Sequence, residues 1–344
     1  MRAFTATLLL ALLAPVASAE SQPTREAFLQ LLERPRVEPD VRFSDDGTRF
    51  SFASEKDQRV PGIIAMPILT RQPNASPRRP VVIALHGTGG AKESQLPLLR
   101  MLADKGFIAI AIDGRYHGER AKAGNGSEEY QQAILRAWRE PGKEHPFFYD
   151  TVWDVTRLID YLETRDDVDP KRIGLIGTSK GGIETYLAAV GDERIAAAVP
   201  CIGVQSFKWA LENNAWQSRV STIRTAFDAA AKESGVTTPD ATFVAKFYER
   251  VAPGLTDRFD GPAMLPLIAP RPLLVVNGDS DDRTPLPGLK LCTDAAKAAY
   301  EKAGTADRLV VRIQEKTAHK VTSESQQAAV DWLATTLNPS AKRK

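Results

Sequence analysis

The sequence predicts an α/β fold, a mostly parallel twisted sheet with helices on both faces and a helical cap inserted late in the chain. Three observations carry this. From position 81 onward short continuous apolar runs recur, at residues 81–85, 107–112, 173–176, 195–199, 273–276 and 309–313. Stretches with apolar residues three and four apart separate most of them, as Phe148, Val152, Val155, Ile159 and Leu162 illustrate. A run that is apolar at every position reads as a strand buried on both faces, the condition of a parallel sheet covered by crossover helices. Two connections, 118–146 and 203–269, are too long for simple turns. The second carries Trp209, Trp216, Val220, Ile223 and Phe227 at helical spacing. Most of these are expected to pack on the core and a minority to line a pocket.

Residues 1–19 have the anatomy of an export leader: Arg2, an apolar run at 4–14, then the small residues Ala17-Ser18-Ala19 before the cleavage point. The run is too short to span a bilayer, and no later segment reaches about 18 apolar residues. The mature protein is therefore expected to be secreted or periplasmic, with no membrane attachment after cleavage. Residues 20–80 form an N-terminal section. A short helix is expected at about 24–32, then strands at 41–43, 50–54 and 62–66, with Asp46-Gly47 and Pro61-Gly62 as turns. A polar, proline-rich stretch at 71–80 closes it. Residues 81–338 form the catalytic domain, with helices near 96–102, 148–162, 180–190, 286–302 and 321–336 and the cap at about 203–269. Residues 339–344 are a frayed basic tail.

Composition excludes several classes. With 43% hydrophobic and 26% charged residues the chain is globular, not disordered or coiled coil. The 45 basic and 43 acidic residues leave a net charge of +2, no electrostatic footprint for nucleic acid or an anionic membrane. Neither CxxC nor HExxH occurs, so metal-site spacing is absent. Cys201 ends an apolar run and Cys292 lies on an expected helix. Two buried free thiols are expected rather than a disulfide.

The sharpest local feature is Gly177-Thr178-Ser179-Lys180-Gly181-Gly182, preceded by a strand-like run and followed by Ile183, Tyr186, Leu187 and Val190 at helical spacing. G-x-S-x-G at a strand-to-helix turn is the nucleophile elbow: a serine held on a strained backbone, flanked by glycines because side chains would collide there. A serine hydroxyl is a weak nucleophile at neutral pH and needs a base, which needs an orienting acid. In chain order these follow as acid, then histidine. Of His86, His117, His145 and His319, only His319 follows Ser179. The acid should lie in the loop after the run at 273–276, where Asp279, Asp281 and Asp282 compete. A Gly-x-x-Asp-x-x-x-Pro frame selects Asp281, with Asp282 as runner-up and Asp279 as a turn residue bonding its own backbone. The oxyanion donors are expected to be the backbone N–H groups of Lys180, at a helix N-terminus, and of Thr88, in His86-Gly87-Thr88-Gly89-Gly90. His86 is expected to support that loop, and His117 to be structural.

These motifs resemble the α/β-hydrolase superfamily, nearest to its dienelactone-hydrolase-like and acetyl-xylan-esterase-like branches. The resemblance rests on His86-Gly87, residues 113–118, 177–182 and 278–285, and His319, and spans roughly residues 60–337. Residues 202–209 and 252–255 look like a subgroup for which the resemblance implies a hydrolase without a substrate. Dienelactone hydrolase uses a cysteine nucleophile, so Ser179 departs from it and lactone chemistry is not implied. The resemblance implies a serine esterase acting on small-molecule carboxylic esters through an acyl-enzyme, with no metal or organic cofactor. The near-neutral charge agrees with a pocket for uncharged esters. A prolyl-oligopeptidase-like peptidase shares fold and triad order but carries a large N-terminal propeller, for which residues 20–80 are too few. A non-catalytic binding protein on this scaffold normally lacks a triad member. A nucleotide-binding protein requires glycine motifs that the segments at 87–90 and 174–182 do not match.

Overall fold

The computed structural model describes residues 21–67, 78–122 and 126–338. The expected leader at 1–19, most of the polar stretch at 71–80 and the tail at 339–344 lie outside them. The strands are β1 (Arg42–Phe43), β2 (Arg49–Glu55), β3 (Gln58–Ala65), β4 (Arg79–Leu85), β5 (Ile108–Ile112), β6 (Val168–Thr178), β7 (Ile195–Cys201), β8 (Leu273–Gly278) and β9 (Leu309–Gln314). They join in one sheet in the order β1-β2-β3-β5-β4-β6-β7-β8-β9. Strands β4 to β9 run parallel, and β1 to β3 form an antiparallel meander paired to β5.

The chain steps from β4 outward to β5, then crosses back over β4 to β6. The loops leaving β4 and β6 therefore diverge, and a crevice opens between the carboxyl ends of these neighbouring strands. β4 shows why its run is apolar throughout. Val81, Ile83 and Leu85 face one core, with the helices Tyr149–Glu163 and Lys180–Gly191, while Val82 and Ala84 face the other, with the helices Leu96–Asp104 and Ser323–Leu337. The edge strand β9 departs from the pattern. Val310, Val311 and Ile313 are 37%, 41% and 40% exposed, because no further strand or helix covers them.

Both long connections fold into helices, and they fold onto each other. Residues 118–146 contain the helix Gly126–Arg139, absent from the sequence reading. Residues 203–269 contain five α-helices: Phe207–Glu212, Gln217–Val220, Arg224–Glu233, Ala241–Val251 and Gly261–Met264. Helix Gly126–Arg139 packs on Arg224–Glu233 and Ala241–Val251. Trp138 lies 5.7 Å from both Phe243 and Phe247, and Gln131 bonds Thr222 O and the Ala226 N–H. The two insertions thus make one roof over the carboxyl end of the sheet. Asp260 anchors it by accepting from Ser206 Oγ and from the N–H groups of Phe207 and Gly261. Cys201 and Cys292 are both free and buried, as expected.

Candidate active site

β6 ends at Thr178 and the next helix begins at Lys180, so Ser179 alone makes the turn. Its backbone has φ 58° and ψ −115°, a left-handed conformation that costs an L-residue about 1–3 kcal/mol. The surrounding glycines explain how the turn closes. A Cβ on Gly177 would lie 2.2 Å from Gly181 O, and one on Gly181 would lie 2.4 Å from Leu85 O at the end of β4. The Ser179 N–H donates to Cys201 O of β7 at 2.9 Å, which ties the elbow to the next strand.

Ser179 Oγ donates to His319 Nε2 at 2.8 Å. His319 follows β9, and its Nδ1–H donates to Asp281 Oδ2 at 2.8 Å and Oδ1 at 2.9 Å. Three residues separated by 102 and 38 positions in the chain thus meet in one hydrogen-bonded line. Asp281 is fixed by its own loop: it accepts from the Arg283 N–H and from Thr284 Oγ1 at 2.7 Å. Burial alone would raise its pKa, but the bonds from His319 and Thr284 outweigh burial and hold the carboxyl below its usual range. Asp282 is exposed and does not reach His319. Asp279 differs from the expectation. Its oxygens accept from the N–H groups of Lys316 and Thr317, three and two residues before His319, so it pins the histidine loop rather than only its own turn.

The loop after β4 approaches the elbow closely: a Cβ on Gly87 would lie 3.3 Å from Thr178 O. Thr88 follows and faces the same pocket as Ser179 and Lys180. The Lys180 side chain turns away, with its ammonium paired to Glu184 and 5.7 Å from the Tyr130 ring, which leaves its N–H as the group at the helix start. His86 supports the loop as expected. Its Nδ1–H donates to Gly87 O at 2.8 Å and its Nε2 accepts from the Gly114 N–H at 3.0 Å. Burial, and then the charge of Lys180, push it down to about 3, so it is neutral in this role. His117 is buried beside it at 5.0 Å and bonds Arg115 O. His145 is buried and away from the serine.

Two cavities meet at Ser179 and His319. One, of about 40 Å³, lies beneath the roof and is walled by Phe147, Phe148, Phe207 and Tyr248, with Gln205 and Arg219. The other, about 520 Å³, opens past Ser94, Gln95 and Lys320. The sequence reading missed these walls. The aromatic stripe of the cap does not line the smaller cavity. Val220, Ile223 and Phe227 are wholly buried in the core, while Ser218 and Arg219, just before them, and Thr222, among them, line the cavity that Ser179 borders. Phe148 was expected inside a helix, but it precedes Tyr149–Glu163 with φ 80° and joins the pocket wall. The three-and-four spacing cannot separate the residue just before a helix from a residue in it. Among the described residues no group of three or more His, Cys, Asp or Glu could hold a metal ion.

The sheet order, the elbow and the position of the histidine after the last strand together decide the superfamily. Two family models match the chain: "Acetyl xylan esterase (AXE1)" over residues 45–212 and "Glucuronyl esterase, fungi" over residues 140–304. The chain belongs to the α/β-hydrolase superfamily. Both matching models are of esterases, and the chain is a carboxylic ester hydrolase of that superfamily. It is 27% identical over 282 residues to YitV of Bacillus subtilis (strain 168), named as a candidate esterase, covering 82% of this chain and 98% of that one. Its fold is similar to acetyl xylan esterase 1 of Thermoanaerobacterium sp. JW/SL YS485, with TM-score 0.64 and 15% identity over 94% of this chain and 95% of that one. A glucuronoyl esterase from Solibacter usitatus gives 0.60 and 18%, with the same coverage. Among the described residues no helix of this α/β-hydrolase is long and apolar enough to cross a membrane.

Proposed function

We propose that this α/β-hydrolase cleaves carboxylic esters through an acyl-enzyme on Ser179, outside the cytoplasm once residues 1–19 are removed. The observation that carries the reading is the unbroken line Ser179–His319–Asp281. His319 Nε2 takes the Ser179 proton as Oγ attacks the ester carbonyl carbon. Asp281 keeps Nδ1 protonated, so Nε2 is the free acceptor, and offsets the charge of the imidazolium that forms. The carbonyl oxygen becomes an oxyanion, held by the N–H groups of Lys180 and Thr88; one such donor contributes about 2.7–4 kcal/mol of transition-state stabilisation. The bond to the alkoxy oxygen breaks as His319 protonates it, and the alcohol leaves. Water then gives a proton to His319, attacks the acyl carbon, and releases the carboxylic acid as the proton returns to Ser179 Oγ. The substrates are small-molecule or saccharide esters, and no residue in this sequence of steps calls for a metal or organic cofactor. Residues 81–338 act as one catalytic unit, with 203–269 as its cap.

A fluorophosphonate probe tests the reading. It should label the protein once, on the peptide containing Ser179, and spare Ser179→Ala. Labelling that survives the substitution would remove Ser179 from this role.

A further inference from the structure

Resting on the ester-hydrolase reading above, one feature of the smaller cavity goes further and concerns what the acyl group carries. Arg219 lies in the roof, between the buried Val220 and the pocket, and is only 5% exposed. A buried guanidinium normally has a carboxylate partner. Here, among the described residues, no Asp or Glu lies within 4.0 Å of it. Its Nε donates to Ser218 Oγ at 3.2 Å, its plane is 5.3 Å from the Phe207 ring centre, and Tyr248 Oη–H donates to its backbone oxygen at 2.6 Å. Among the described residues the terminal nitrogens have no hydrogen-bond partner, and their residue borders the cavity shared with Ser179 and His319.

Two neighbours add polar groups to the cavity, one of them cationic. Arg283, half-buried in the loop of Asp281, borders both cavities, and its side chain likewise has no acidic partner. Gln205 is 4% exposed and borders the smaller cavity with its side-chain oxygen unpartnered. No Asp or Glu borders either cavity. The cavity thus has largely apolar walls that carry, among the described residues, two guanidinium groups without an acidic partner, Arg219 and Arg283.

We infer that the smaller cavity receives an acyl group bearing a carboxylate, which Arg219 binds while Ser179 attacks the ester at the other end. The acyl group belongs there because it stays covalently attached through the reaction, whereas the alcohol must depart and water must enter, which the larger cavity allows. Burial pushes the Arg219 guanidinium down to about 10, so it remains a cation at neutral pH. Because it is already desolvated in the free enzyme, a carboxylate would pair with it at a smaller cost than at an exposed arginine. The chain's small net charge hides this site, because 45 basic and 43 acidic residues nearly cancel overall while the pocket lining holds one sign only. Hydrolysis of such a half-ester consumes one water and yields a dicarboxylate and an alcohol.

The test compares the monomethyl esters of succinate, glutarate and adipate with their terminal amides, which match them in shape but carry no charge. For the best-fitting chain length, kcat/KM for the carboxylate should exceed that of the amide by about tenfold or more. Arg219→Gln should bring the ratio close to one, and Arg219→Lys should retain part of it. The free dicarboxylate should inhibit wild-type p-nitrophenyl acetate hydrolysis competitively and its diamide should not, which needs no variant to fold. Equal rates for acid and amide with wild type, or an Arg219→Gln effect shared by both, would overturn the inference and leave Arg219 a structural partner of Phe207. Those outcomes leave the ester-hydrolase reading intact as long as p-nitrophenyl acetate is turned over. Absence of turnover with every ester would overturn both.

Discussion

Ser179 pays for its position with a left-handed backbone, and only its surroundings make that tolerable: the Cys201 carbonyl, the missing side chains at Gly177 and Gly181, and the start of a helix. These requirements are local, so they are legible as a motif. His319 is legible for a different reason, since it alone among four histidines follows the serine. The acid is harder, because Asp279, Asp281 and Asp282 are all within three positions and a one-residue error chooses an exposed side chain. Loop geometry separates them: Asp279 binds the Lys316 and Thr317 N–H groups, Asp281 binds His319, and Asp282 faces solvent. Asp281→Asn should therefore lower kcat by a factor on the order of 10⁴ in a p-nitrophenyl ester assay, since the amide disrupts the tautomer His319 needs. Asp282→Asn should change it little. A larger loss in Asp282→Asn than in Asp281→Asn would refute this assignment. Arg219 had no such signal. Nothing in its sequence neighbourhood distinguishes it from a surface arginine until the cap folds over β6.

At the scale of elements, the strands of the parallel sheet are visible as apolar runs because burial on both faces leaves no polar position. β9 shows the limit of that rule. Its run is apolar except for Arg312, yet three of its residues are exposed, because edge position is decided by strand order, which periodicity does not carry. The helix Gly126–Arg139 was legible but missed: Tyr130, Ala133, Ile134 and Ala137 recur at three and four residues and are wholly buried once the cap packs on it, and Pro141-Gly142 follows its end. The cap stripe illustrates the same point in reverse. Its aromatic and aliphatic residues were the visible ones and they pack inward, while Ser218, Arg219 and Thr222 beside them join Phe207 and Tyr248 in lining the pocket.

For the whole molecule, burial of titratable groups around the crevice sets a dependence on pH. Burial, then the charge of Lys180, push His86 down to about 3 and His117 down to about 2. In the unfolded chain an imidazole gains its proton near pH 6.5, so between there and about pH 3 the unfolded state binds more protons and stability falls as pH falls. Asp154 adds to this lower down. Burial would raise its carboxyl, but Arg115 and Arg120 pull it down to about 2. That stabilisation is complete above the usual carboxylate range and is lost as pH drops toward 2. Urea unfolding followed from pH 8 to pH 4 should show stability roughly level above pH 7 and declining below about 6.5, with a proton uptake on unfolding of up to about one per buried histidine. Constant stability from pH 7 to pH 5 would contradict the neutral, buried state of these two rings.

Catalysis turns on the serine, and ester turnover measures its role most directly. Purified protein with p-nitrophenyl acetate should release p-nitrophenol at a rate that saturates with substrate. Ser179→Ala, shown by circular dichroism to be folded, should lose that rate by roughly 10⁶-fold, to the level of residual binding alone. A folded Ser179→Ala variant that turns over the ester at the wild-type rate would contradict the central claim.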